Sequence, residues 1–134
     1  MEVEAFLLAD AATDQVGKLN VLGAFDSILA PTAPVGHPAF SVALRIRFVK
    51  SESGHHPFRI NIVDMDGKSI LPRAIDGNIE VGVQNAEESA AVNLVANFRD
   101  VRFEKFGKYS IDLSVSGKQR GTLPIYVRQA QRPA

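Results

Sequence analysis

An all-β chain, folded as an antiparallel β-sandwich of about eight or nine short strands, is what this sequence predicts. Three observations carry that expectation. Short runs alternate apolar and polar residues, the period of a strand with one face in a core. Turn chemistry rich in Gly, Pro, Asn and Asp separates the runs at regular spacing. No helical period lies between them, which excludes the strand–helix alternation of a doubly wound α/β fold. The single passage with helical character, Ala86-Glu87-Glu88-Ser89-Ala90, is too short to stand as an independent helix and reads as a turn.

Glu2 to Ala11 forms the first predicted strand, and Thr13 to Lys18 a polar turn. Lys18 to Leu29 reads as a second, long strand, with Gly23 marking a bulge or a close backbone approach. The apolar runs Ala5 to Ala9 and Leu19 to Phe25 do not alternate cleanly, so protein is expected on both faces of this hairpin. Phe6, Leu7, Leu8, Val21, Leu22 and Phe25 are accordingly candidate interface residues. Left uncovered, they would make an apolar patch of a kind that soluble monomers seldom carry. The proline-rich segment that follows, or a central place in the sandwich, are the ways one chain could cover them. That segment contains Pro31, Pro34 and Pro38, which forbid regular pairing and predict an extended surface loop from Pro31 to Pro38.

The cleanest alternation runs from Ala39 to Val49. Phe40, Val42, Leu44, Ile46 and Phe48 face one way, and Ser41, Ala43, Arg45 and Arg47 the other. Lys50 to Pro57 is read as a polar turn holding His55 and His56. Phe58, Ile60 and Ile62 then alternate up to Asp66-Gly67, a strong hairpin signal, and Ser69 to Leu71 returns as a short strand. Asn78 to Gln84 is the next strand, Asn85 to Ala91 a turn, and Val92 to Arg99 another strand. Val101 and Phe103 continue its inward set past an irregularity at Asp100. Tyr109 to Val115 and Leu123 to Val127 close the chain as a hairpin around Gly117. Pro124 cannot donate to a ladder and places its strand at an edge or its own position out of pairing.

One local feature favours a sandwich over a barrel. Glu104-Lys105-Phe106-Gly107-Lys108-Tyr109 resembles the corner before the penultimate strand of immunoglobulin-like domains, where a tyrosine hydroxyl bonds back to upstream backbone. Gly107 and Tyr109 are therefore assigned a structural role. The chain contains no Cys and no Trp, so only the architecture of such domains carries over.

Size and composition narrow the function classes. The 134 residues are expected to make one domain, 1–129, with 130–134 as a frayed tail. Without cysteine there is no disulfide framework, thiolate zinc site or cysteine nucleophile, and a reducing cytoplasm is the expected location. The acidic start Met1-Glu2-Val3-Glu4 is unlike a signal peptide, and no apolar run approaches the ~20 residues of a membrane span. Fifteen basic and fifteen acidic side chains cancel, so neither nucleic acid nor a membrane is expected as a partner. A charge near zero gives little protection against self-association.

The most chemical-looking set is His55-His56 with His37, Asp64 and Asp66. Histidines and carboxylates of this kind hold transition metals or exchange protons, so these five are candidate metal or acid–base residues. Neighbouring residues on one strand face opposite ways, however, and His55 and His56 converge only if a turn re-aims one of them. Asp64-x-Asp66-Gly67 resembles the start of a calcium loop without its acidic series or terminal glutamate. Asp10, Asp14 and Asp26 could complete it only from separate turns. There is no Gly-x-Ser-x-Gly elbow and no glycine-rich phosphate loop before a helix. No cofactor is expected.

The passages Ala9 to Ala12 and Gly17 to Asp26, with Gly107 to Val127 including Leu123-Pro124-Ile125-Tyr126-Val127, resemble a family of small bacterial proteins of unknown function. That resemblance implies a bacterial, cytoplasmic β-sandwich and brings no site residues with it. The reading put first is a non-enzymatic module that forms a homo-oligomer, or docks an unidentified protein, through the N-terminal hairpin. A metal-dependent or acid–base enzyme built on the loop histidines and aspartates is the second. The third is a carbohydrate- or peptide-binding sandwich using Tyr126, Arg128, Arg45 and Arg47, weakened for sugars by the missing tryptophan.

Overall fold

Phe40, Val42, Leu44, Ile46 and Phe48 are all buried, and the strand that carries them is the spine of one of two stacked sheets. In the computed structural model, which describes residues 1–130, this sheet has four strands. They are β1 (Glu2–Gln15), β2 (Lys18–Ala24), β4 (Val35–Val49) and β7 (Ser89–Phe103), in the order β2-β1-β4-β7. The facing sheet has five: β3 (Ser27–Ala30), β5 (Gly54–Val63), β6 (Ile75–Val81), β8 (Gly107–Val115) and β9 (Lys118–Gln129), in the order β3-β9-β8-β5-β6. Alternation fills the space between them. Leu8, Val42, Leu44 and Phe98 come from the first sheet, and Ile60, Ile62, Ile111, Leu113, Ile125 and Val127 from the second. Each such side chain contributes roughly 1.5–3 kcal/mol of burial. No helix of the described residues is long and apolar enough to cross a membrane.

Several boundaries differ from the sequence reading, each for an identifiable reason. Lys18 to Leu29 is not one strand. After Ala24 the chain leaves the four-stranded sheet, and Ser27–Ala30 joins the five-stranded sheet parallel to β9, in the register Ile28 to Val127. The crossing starts at Gly23, whose φ of +70° suits glycine and whose missing Cβ would stand 2.6 Å from an Asp10 carboxylate oxygen. It also makes one parallel pair in an otherwise antiparallel fold. Within the expected loop 31–38, Val35 to Pro38 belong to β4. The partner there is Val101–Phe103 of β7 alone, because β1 reaches no further than Ser41. Pro38 thus lies where one side of β4 is open, a position that needs no donor.

His55 and His56 sit on β5, not in a turn; the turn is compressed into a 3₁₀ segment, Lys50–Glu52, closed by the Ser53 N–H on the Lys50 carbonyl oxygen at 3.0 Å. Ser69 to Leu71 makes a single bridge to Val63 instead of a strand, since Pro72 ends the run. The strand placed at 78–84 starts earlier, at Ile75, and stops at Val81. β7 begins at Ser89, inside the predicted turn. Asp100 has φ +52° and no partner on β4, so the strand bends there. Pro124 lies on β9 opposite Ser110, beyond the reach of β3, which pairs only from Tyr126 onward. Of the expected tail, Ala130 still donates to the Ala30 carbonyl oxygen at 2.8 Å; 131–134 lie outside the described residues.

Candidate interaction surfaces

The N-terminal hairpin covers much of its own second face by folding back. β1 pairs with β4 only as far as Ala9 opposite Ser41, then continues with β2 alone. The tip turns back beside the start of β1, where Asn93 of β7 donates to Asp14 Oδ1 and to the Gly17 carbonyl oxygen, both at 3.1 Å. Asn93 stands in register with Arg45, and Arg45 with Ala5. The flap therefore overlies Ser41 and Ala43, which are buried on the face of β4 turned away from the core. Small side chains there leave room for a second layer. Within the flap, Ala12, Leu19 and Val21 are half-buried, whereas Ala11, Thr13, Asn20 and Leu22 are exposed. Alternation hidden in the sequence reappears once the flap is recognised as a layer with one dry face.

The six candidate interface residues consequently divide. Leu8 is in the core, and Phe6 packs toward β9, its ring filling the space where Gly121 lacks a Cβ. Val21 is on the half-buried face of the flap. Leu22 remains 71% exposed and Leu7 40%. Phe25 is half-buried, with its N–H donating to the Leu8 carbonyl oxygen at 2.9 Å. At the base of the hairpin, Leu7, Leu8, Ala24 and Phe25 meet Leu123 and Pro124 of β9 around an open groove of about 430 Å³, with Asp26 in its wall. Ala24, Leu123 and Pro124 were not among the sequence candidates. The one available signal was Pro124, which marks a stretch of strand with one open side.

The histidines and aspartates do not converge. His37 is held between Phe25 and Phe40, with ring centroids at 5.9 and 5.6 Å. His56 stacks on Phe48 at 4.8 Å; its Nε2 faces the Glu52 carbonyl oxygen at 2.5 Å and its Nδ1 the Ser116 hydroxyl at 3.1 Å. His55 points the other way, with Nδ1 3.5 Å from an oxygen of Glu80 on an exposed face. Asp64 caps its own turn: one carboxylate oxygen accepts the N–H groups of Asp66 and Lys68, both at 2.9 Å. Asp66 lies exposed in that turn. Among the described residues no group of three or more His, Cys, Asp or Glu side chains could hold a metal ion.

The arginine and tyrosine candidates fall on opposite sides of the sandwich. Glu4, at a bulge of β1, bridges Arg45 Nε at 2.9 Å and Arg47 Nε at 2.6 Å. The hydrogen bond from Arg47 holds the Glu4 carboxyl below the usual carboxylate range and raises the Arg47 guanidinium in turn. Tyr126 and Arg128 are on β9 of the other sheet, the guanidinium 4.9 Å above the ring. On that sheet Arg59 binds Asp76 at 2.7 Å and lowers its pKa. At the corner before β8, the Tyr109 hydroxyl donates to the Lys105 carbonyl oxygen at 2.7 Å and accepts the Lys105 N–H at 3.3 Å. Gly107, at φ +145°, turns the chain into the strand.

A model of a family described as a family of unknown function, DUF6941, matches residues 4–128. No curated protein matches the chain.

Proposed function

We propose, for a chain that belongs to the DUF6941 family of unknown function, a non-enzymatic role as a protein-interaction module that docks its partner at the base of the N-terminal hairpin. The observation that carries this reading is the groove where Leu7, Leu8, Ala24, Phe25, Leu123 and Pro124 come together with Asp26 as the charged group. Its apolar lining rewards burial of a side chain at roughly 25 cal/mol per Å², and one carboxylate at the wall sets the charge of what lies beside it. The occupant is therefore an extended partner segment that places an aliphatic or aromatic side chain next to Lys or Arg. The module is assigned to a bacterial cytoplasm, which the cysteine-free composition and the resemblance to small bacterial proteins support.

Panning the full chain against a displayed library of extended peptides tests the reading. Sequences pairing an apolar residue with a basic one are expected to be enriched. Leu7→Asp should weaken the selected peptides about tenfold, or about 1.4 kcal/mol, while Val16→Asp at the exposed hairpin tip leaves them unchanged. No enrichment, or binding that survives Leu7→Asp, overturns the reading.

A further inference from the structure

We infer that the free edge of β7 pairs, antiparallel, with the same edge of a second copy of this chain, so that the two four-stranded sheets run on as one. β7 is the last strand of its sheet. It bonds to β4 from Ser89 to Phe103, and among the described residues no backbone partner lies on its other side. Alternate N–H and C=O groups therefore point outward from it.

Sheet edges are ordinarily guarded by charge, proline, a bulge or brevity. The other three edges of this sandwich are guarded in those ways. β6 carries Asp76 and Glu80, β3 is only Ser27–Ala30, and β2 opens on Lys18 and is kinked at Gly23, one residue before its end. The β7 edge from Ser89 to Asn97 reads Ser-Ala-Ala-Val-Asn-Leu-Val-Ala-Asn, with no charge, no proline and no glycine. Protection resumes only at Arg99 and at Asp100, where φ of +52° bends the strand away.

A second copy fits this edge on three counts. Antiparallel pairing about a two-fold axis sets the row of outward donors and acceptors against an identical row, the self-complementary contact of a two-fold dimer. The stretch itself brings no charge to the seam, the Asp14 carboxylate carried to Asn93 is matched by Arg45 on the same side chain, and the chain's formal charge of zero adds no repulsion at a distance. Val92 and Leu94 face the core yet remain half-buried at the open seam, and the same residues of a second copy would cover them. The surface is on the opposite flank from the hairpin groove, since β7 lies against β6 while β1 and the groove lie against β9, so the inference does not rest on the groove.

Sedimentation of the full chain over about a hundredfold range of concentration should show a mass rising to twice the 14.5 kDa of one chain. Val95→Lys and, separately, Asn97→Lys should return it to one chain with an unchanged far-UV spectrum. Because the chain has no cysteine, introduced cysteines locate the contact independently. With Val92 of one copy beside Leu94 of the other, position 91 faces position 95 across the seam, so the double variant Ala91→Cys/Val95→Cys should form disulfide-linked dimers on mild oxidation, and Leu22→Cys on the flap should not. A mass that stays at one chain throughout overturns the inference and leaves an extended segment of another protein as the occupant. Covalent dimers through Leu22→Cys but not through the 91/95 pair overturn it as well, by moving the contact to the hairpin.

Discussion

Tyr109 carries a polar group into a region where it is only 5% exposed, and its hydroxyl is satisfied by the backbone of Lys105. Tyr109→Phe keeps the edge-on packing against Phe103, with ring centroids at 4.9 Å, and loses the bond. The expected cost is about 1 kcal/mol, read from denaturant unfolding as a lower midpoint with an unchanged slope. A bond of this kind is visible in a sequence, because donor and acceptor are four residues apart and the corner is local. Gly77 is the opposite case. A Cβ there would stand 2.5 Å from the ring of Phe58 on the neighbouring strand, so Gly77→Ala should cost about 1–3 kcal/mol through overpacking, measured in the same unfolding experiment. Nothing around Gly77 in the sequence announces this, since the constraint comes from another strand.

At the scale of the element, the flap formed by β2 and the outer half of β1 is held at its tip by the Asn93 side chain. Asn93→Ala removes both tip contacts and the acceptor for Arg45, while leaving the core between the sheets untouched. Amide exchange at Gln15 to Lys18 should therefore speed up by about tenfold, the equivalent of one or two hydrogen bonds at about 1 kcal/mol each. The melting temperature should move far less. An exchange rate at the tip equal to that of the parent would show that packing under Leu19 and Val21, and not Asn93, holds the flap. The apolar excess of Leu19 to Phe25 was legible as a sign of two-sided cover. Its source was not, because a strand that doubles back over its own sheet has the same local composition as one bound to a partner.

Across the whole molecule, each sheet carries an ion pair that depends on an ionised carboxylate: Glu4 with Arg47 and Arg45 in one, and Asp76 with Arg59 in the other. Hydrogen bonds from Arg47 and from Arg59 hold the two carboxyls below their ordinary range in the folded state. Carboxylates with depressed folded values stabilise the fold above the unfolded value, about pH 4, and that contribution is lost as pH falls through the folded values. Thermal stability is thus expected to be level near neutral pH and to fall below about pH 4. Glu4→Gln should flatten part of that fall, and added salt should reduce the effect because both pairs face solvent. A melting curve with the same acid slope in Glu4→Gln would assign the loss to other groups. The fold class, the inward residues of β4, β5 and β8, and most turns follow from the sequence alone. A period of two reports locally which side of a strand is dry. Three features were decided only by tertiary structure: the crossing of the chain between sheets after Ala24, the flap folded over Ser41 and Ala43, and the open edge of β7. Each depends on which strands lie side by side, and alternation is the same in a strand with two neighbours as in a strand with one.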